Sequence, residues 1–168
     1  MAALAASPLV GLSQIFVVNS AWTGLGITAA IASYSPLLAV HAVMGSTLGC
    51  VTGLVALGAT PDVVAAGLFG YNAALTSMAV GVFFQNTRQA WFLSAAGAIA
   101  TAGLHAGMAS VFAAHGSPCL TLPFCVMATG CYLLADTLPG LQLATTPHSP
   151  ECNLPDVAGA QEKEQKKQ

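Results

Sequence analysis

Charge is what this sequence has least of. Only 6% of its 168 residues are Asp, Glu, Lys or Arg, against about a quarter in an ordinary soluble domain. No charged residue precedes Asp62, the next is Arg88, and the one after that is Asp136. A soluble fold of this length cannot cover its surface with so few charges, and 55% of the residues are hydrophobic. The chain reads as a membrane protein or as one buried in a larger assembly. Four basic residues and a net charge of −2 leave no electrostatic footing for nucleic acid. The five cysteines, Cys50, Cys119, Cys125, Cys131 and Cys152, contain no CxxC pair, which argues against a zinc site or a disulfide framework. No basic segment precedes the first apolar residues, so "MAALAASPLVG" does not read as a signal peptide. There is no phosphate-binding glycine loop, and the Asp residues fall at the ends of apolar stretches or in the tail. Neither an enzyme nor a cofactor is expected.

What is present is a series of apolar stretches. Four are long enough to span a bilayer, which takes roughly 20 residues: 37–58, 63–84, 90–113 and 119–138. Breaks at Pro36, "ATPD", "QNTRQ" and "HGSP" separate them. Residues 8–34 differ, because "NSAWTG" interrupts them. They suggest one span plus a half-length piece that enters and returns, a form tolerated only where protein or a water-filled cavity satisfies the freed backbone. Gly45, Gly49 and Gly53 recur every four residues, as do Gly103 and Gly107. Such ridges let helices approach closely in lipid and favour a compact bundle. The expected layout is a membrane domain over residues 1–140 and a polar, disordered tail over 141–168, rich in proline and ending in "QEKEQKKQ". Arg88 and the tail lysines fall on one side if the two stretches between them span, and the positive-inside rule makes that side cytoplasmic.

Polar residues inside the apolar body are few: Gln14, Asn19, His41, Asn72, His105, Thr121 and Asp136. Buried polar groups in a bilayer need partners or a function. His41 and His105 are open to two readings, a proton relay or hydrogen bonds inside the bundle. No mid-span carboxylate accompanies them, which disfavours a proton or ion pump. Neutral hydrogen-bonding groups suit a path for a small neutral polar solute better than one for an ion.

Four stretches in series carry a resemblance: "VGLSQIF" with the nearby "WTG", "SPLLAVHAVMGSTLG", "GLFGYNAALTSMAVGVFF" and "LTLPFCVMATGCYLL". In order and spacing they resemble the urea transporter family over residues 8–138. The resemblance implies an all-α membrane fold of about five transmembrane helices plus a tilted half-length re-entrant helix, one of two inverted halves. Single copies of each motif, with details closer to the family's second half, imply half a transporter. The family's pore passes urea in single file between aromatic slots and along a ladder of oxygens. By motif, Gln14 matches one end of a ladder, Tyr71 a slot aromatic, Leu75 the apolar residue beside it, and Thr121 the central threonine. Asn72 is expected to organise backbone. Phe16, Val17 and Trp22 are the candidates for the second slot aromatic. The implied partners are urea, the lipid bilayer, and either further copies in a trimer or a complementary half. The implied location is the plasma membrane. Two other readings stay open: a truncated, non-transporting chain that joins full-length subunits, and a channel for water, ammonia or a urea analogue.

Overall fold

Proline, serine and threonine at the breaks set where helices begin. The computed structural model describes residues 2–135, 137–145 and 147–154. Its helices are α1 (Ala2–Ala5), α2 (Ser7–Gln14), α3 (Ala21–Tyr34), α4 (Pro36–Val51), α5 (Pro61–Ala65), α6 (Gly70–Phe83), α7 (Arg88–Ala114) and α8 (Leu122–Leu133). Ser20, Ser35 and Thr87 cap α3, α4 and α7, each accepting the backbone N–H three residues on. Pro36 and Pro61 occupy first-turn positions, where the missing N–H costs nothing. Expected residue Asp136 and the charged end of the tail lie outside the described residues.

Among the described residues, two helices are long and apolar enough to cross a membrane. One is Pro36–Ala56, where α4 runs on into a π-helical turn at Thr52–Ala56; the other is α7. The other apolar stretches are divided. Residues 63–84 are not one helix: Gly67, at φ 75°, turns the chain between α5 and α6. A side chain there would strike the backbone of Gly11. Of residues 119–138 only Leu122–Leu133 is helical, about 18 Å of rise against a hydrocarbon core of about 30 Å. The reason is an irregular approach over 117–121 followed by Pro123 in the first turn. Residues 8–34 form α2 and α3, joined by an irregular turn.

α4 packs on α6, and α6 on α7. Gly45, Gly49 and Gly53 form this α4–α6 seam. A Cβ on Gly45 would lie 2.5 Å from Ser77 Cβ, and one on Gly49 2.6 Å from Ala73 Cβ. Gly103 and Gly107 differ, since a Cβ on either meets nothing within 4 Å. That ridge faces away from the chain's own helices.

Residues 141–145 and 147–154 lie against the bundle. Leu143 pairs with Phe84 in an isolated antiparallel bridge. Asn153 donates to the Gly81 and Val82 carbonyls, and Leu141 is buried against Val80 and Phe84. Glu151 accepts from Ser35 Oγ and from the Leu37 N–H at 2.7 Å, at the start of α4. The described part of the expected tail is therefore a strap across one end of the helices. It is held by an apolar residue and backbone pairing that its polar composition conceals.

Candidate functional site

A cleft of about 340 Å³ lies between the end of α2, the start of α6, the second half of α7 and the approach to α8. Gln14, Val17, Tyr71, His105, Cys119 and Thr121 are on its walls. On α7 it reaches from His105 to Ala113. His105 is about 25 Å along that helix from Arg88, so the cleft opens at the end opposite the strap.

Each polar group has a defined orientation. Gln14 Nε2 donates to the Ala66 carbonyl at 2.9 Å, which leaves Oε1 as the atom free to accept. Thr121 is exposed, and its carbonyl accepts the Cys125 N–H. Tyr71 is 9% exposed, and its hydroxyl donates to the Leu120 carbonyl at 2.7 Å. It presents part of its ring to the cleft, the remainder being packed beside His105.

Asn72 is completely buried behind Tyr71. Its Nδ2 donates to the same Leu120 carbonyl at 3.0 Å, and its Oδ1 accepts the Phe124 N–H at 3.4 Å. One side chain thus ties the end of the approach to the first turn of α8. Leu120 has φ 46°, a costly conformation for a branched residue that persists only when surroundings enforce it. Val17, at φ 59°, is the matching bend on the other side. Buried Ser13 holds that turn, its single O–H shared between the Val10 and Val18 carbonyls while its oxygen accepts the Ser20 N–H.

Gln14, Tyr71, Thr121 and Val17 are thus brought together. Leu75 is half-buried one turn further along α6 and is not on the cleft wall. Phe16, 65% exposed, and Trp22, 83% exposed, are not on it either. Motif reading did not single out Ser13, Cys119 or Leu120. Ser13 adjoins Gln14, but nothing in the sequence signals its threefold bonding.

Both membrane histidines are hydrogen-bonded within the bundle. His41 Nδ1 meets Ser94 Oγ at 2.9 Å, and the ring stacks on Trp91. His105 Nδ1 meets Asn72 Nδ2 at 3.3 Å. Thr76 and Thr101 pair at 2.9 Å between these two sites. Among the described residues no buried side-chain nitrogen or oxygen lacks a partner, as an apolar surrounding requires. No group of three or more metal-ligating side chains occurs among them.

Comparison with known proteins follows the same stretches. A family model described as "Urea transporter" matches residues 1–136. Among curated proteins, Urea transporter 1 of Ovis aries is 41% identical over 129 residues, 76% of this chain and 33% of the sheep protein. Urea transporter 1 of Rattus norvegicus is 39% identical over the same shares. The chain spans about a third of the length of these relatives.

Proposed function

The chain belongs to the urea transporter family, and from that premise we propose that it supplies one wall of a passive, single-file path for urea. The carrying observation is that Gln14, Tyr71 and Thr121, far apart in sequence, converge on one cleft. Gln14 Oε1 and Thr121 Oγ1 accept hydrogen bonds from the amide hydrogens of urea, and the Tyr71 ring edges the planar solute. Each step exchanges water for a protein oxygen at a net change of about 1 kcal/mol. Ions are refused, because neutral groups do not repay their desolvation.

Val17 stands on the cleft wall where an aromatic partner to Tyr71 would be, so that partner comes from elsewhere in the assembly. Asn72 acts from behind, on backbone. Leu75 and Phe16 take part only once a second wall closes over them. In this reading α4 and α7 cross the membrane in full, and the rest of an arrangement of about five spans plus one tilted half-length helix is drawn from the shorter helices α2, α3, α6 and α8. The strap carries the start of the 141–168 tail across the end that holds Arg88, which becomes the cytoplasmic face of a plasma-membrane protein. Copies assemble as a trimer or with a complementary half. No cofactor takes part.

The test is urea uptake in vesicles containing the chain alone, the chain with a complementary half, and the second pair with Thr121→Val. The expected outcome is flux only with both halves, lowered by the substitution. Flux from the chain alone would show that two copies close a pore. Silence in every arm would favour the second reading, a non-transporting membrane chain, which the open, lipid-accessible position of Thr121 supports. A pair that passes water or ammonia but not urea would reassign the solute.

A further inference from the structure

Urea carries one acceptor as well as its donors. Gln14 Oε1 can only accept, and the Thr121 hydroxyl, given the role of an acceptor above, leaves the carbonyl without a donor dedicated to it. The structure points to His105 as a donor on the same wall. The amide of Asn72 has only one orientation. The Phe124 N–H can only donate, so it faces Oδ1; the Leu120 carbonyl can only accept, so it faces Nδ2. The second Nδ2 hydrogen is then directed at His105 Nδ1, 3.3 Å away. Cys119 Sγ, 3.6 Å from the same nitrogen, adds a weak S–H donor. Two donors converge on Nδ1, which must therefore accept. A neutral imidazole that accepts at Nδ1 carries its hydrogen on Nε2.

Nε2 has no partner among the described residues. Since no buried side-chain nitrogen lacks one, Nε2 is open, and the space His105 lines is the cleft. The edge-on rings of Phe69 and Tyr71, with centroids 5.3 and 5.7 Å away, hold the imidazole plane.

We propose that His105, fixed as the Nε2–H tautomer by Asn72 and Cys119, donates a hydrogen bond from the cleft wall to the carbonyl oxygen of the solute. This rests on the urea reading above. It makes the site two-sided, with acceptors for amide hydrogens and a donor for the carbonyl. It also ranks solutes by how well their central atom accepts. Thiourea, whose sulfur accepts weakly, gains little from His105.

The experiment measures urea and thiourea flux for the chain assembled with its complementary half, in wild type, His105→Leu and His105→Gln. His105→Leu is expected to lower urea flux between about twofold and tenfold, the span for one lost hydrogen bond. Thiourea flux falls less, so the urea-to-thiourea ratio drops, and His105→Gln, with an amide donor, restores part of it. Equal loss for both solutes, or an unchanged ratio, overturns the inference and leaves the urea reading standing. Absence of urea flux in wild type overturns that reading instead. Nitrogen NMR of the histidine-labelled chain is independent of flux. It is expected to show hydrogen on Nε2 and its signal moving as urea is added. Hydrogen on Nδ1, or a signal blind to urea, refutes the assignment.

Discussion

Asn72 has three partners on three different elements, and none of them is near it in sequence. Replacing it with Leu leaves the Leu120 carbonyl with Tyr71 alone and takes the Phe124 N–H's partner away. The expected cost is about 1–3 kcal/mol, read as a lower unfolding temperature in detergent. Tyr71→Phe removes only one donor from a carbonyl that keeps another, and is expected to cost less. The sequence exposes an Asn inside an apolar run as an anomaly, and that much was legible. The resemblance also gave it a backbone role, which the bonds to the Leu120 carbonyl and the Phe124 N–H fulfil; which backbone it holds was not legible, because the left-handed bend at Leu120 has no glycine to announce it. Motif order singled out Gln14, Tyr71 and Thr121, which the fold brings to one cleft. Leu75 and Phe16 were not separable from them, since a motif marks a position and not the direction a side chain takes.

At the scale of elements, the two glycine ridges look alike in sequence and behave differently. Gly49→Ala puts a methyl 2.6 Å from Ala73 Cβ and into the Phe69 carbonyl. The α4–α6 seam must open, at an expected cost of about 1–3 kcal/mol. Gly103→Ala meets nothing and is expected to leave the unfolding temperature of the isolated chain unchanged or raised, since Ala favours helix. A shared spacing says that something packs there but not what, which is why only one seam could be read as internal. The strap makes a second element-level prediction. Burial raises the Glu151 carboxyl, but hydrogen bonds from Ser35 and the Leu37 N–H outweigh that and hold it below its ordinary 4.5. A depressed carboxylate stabilises fully above that ordinary value and loses the contribution as pH falls through the lower folded one. Protection factors over residues 147–154, each taken against the intrinsic exchange rate at the same pH, are therefore expected to fall as pH drops below the ordinary carboxylate value, and Glu151→Gln to weaken the strap already at neutral pH. Protection factors that ignore pH in the wild type would remove Glu151 as the fastening.

At the scale of the molecule, the apolar stretches 63–84 and 119–138 are longer than the helices α6 and α8 that they contain. α3 and α8 both start near the cleft; Ser35 at the end of α3 bonds Glu151 of the strap, and Cys131 near the end of α8 packs in the cluster with Leu141. Composition registers apolar length but is blind to a helix that begins midway. The uncovered side of α8 bears Cys125, which is exposed, whereas Cys50 and Cys131 are buried. Co-assembly with a complementary half is expected to slow maleimide labelling of Cys125 relative to Cys152 on the strap. Equal rates would mean that the second wall closes elsewhere.

The glycine seam has a consequence for what passes. It lies directly behind Tyr71, where Gly49 rests on the backbone of Phe69 and on Ala73. That side is packed without slack, while the bends at Val17 and Leu120 flank the cleft on two other sides, each held by one buried polar residue. If urea passes here, as proposed, a broader solute presses on those bends rather than on the seam. Tolerance for breadth is then set by how firmly Ser13 and Asn72 hold those two bends.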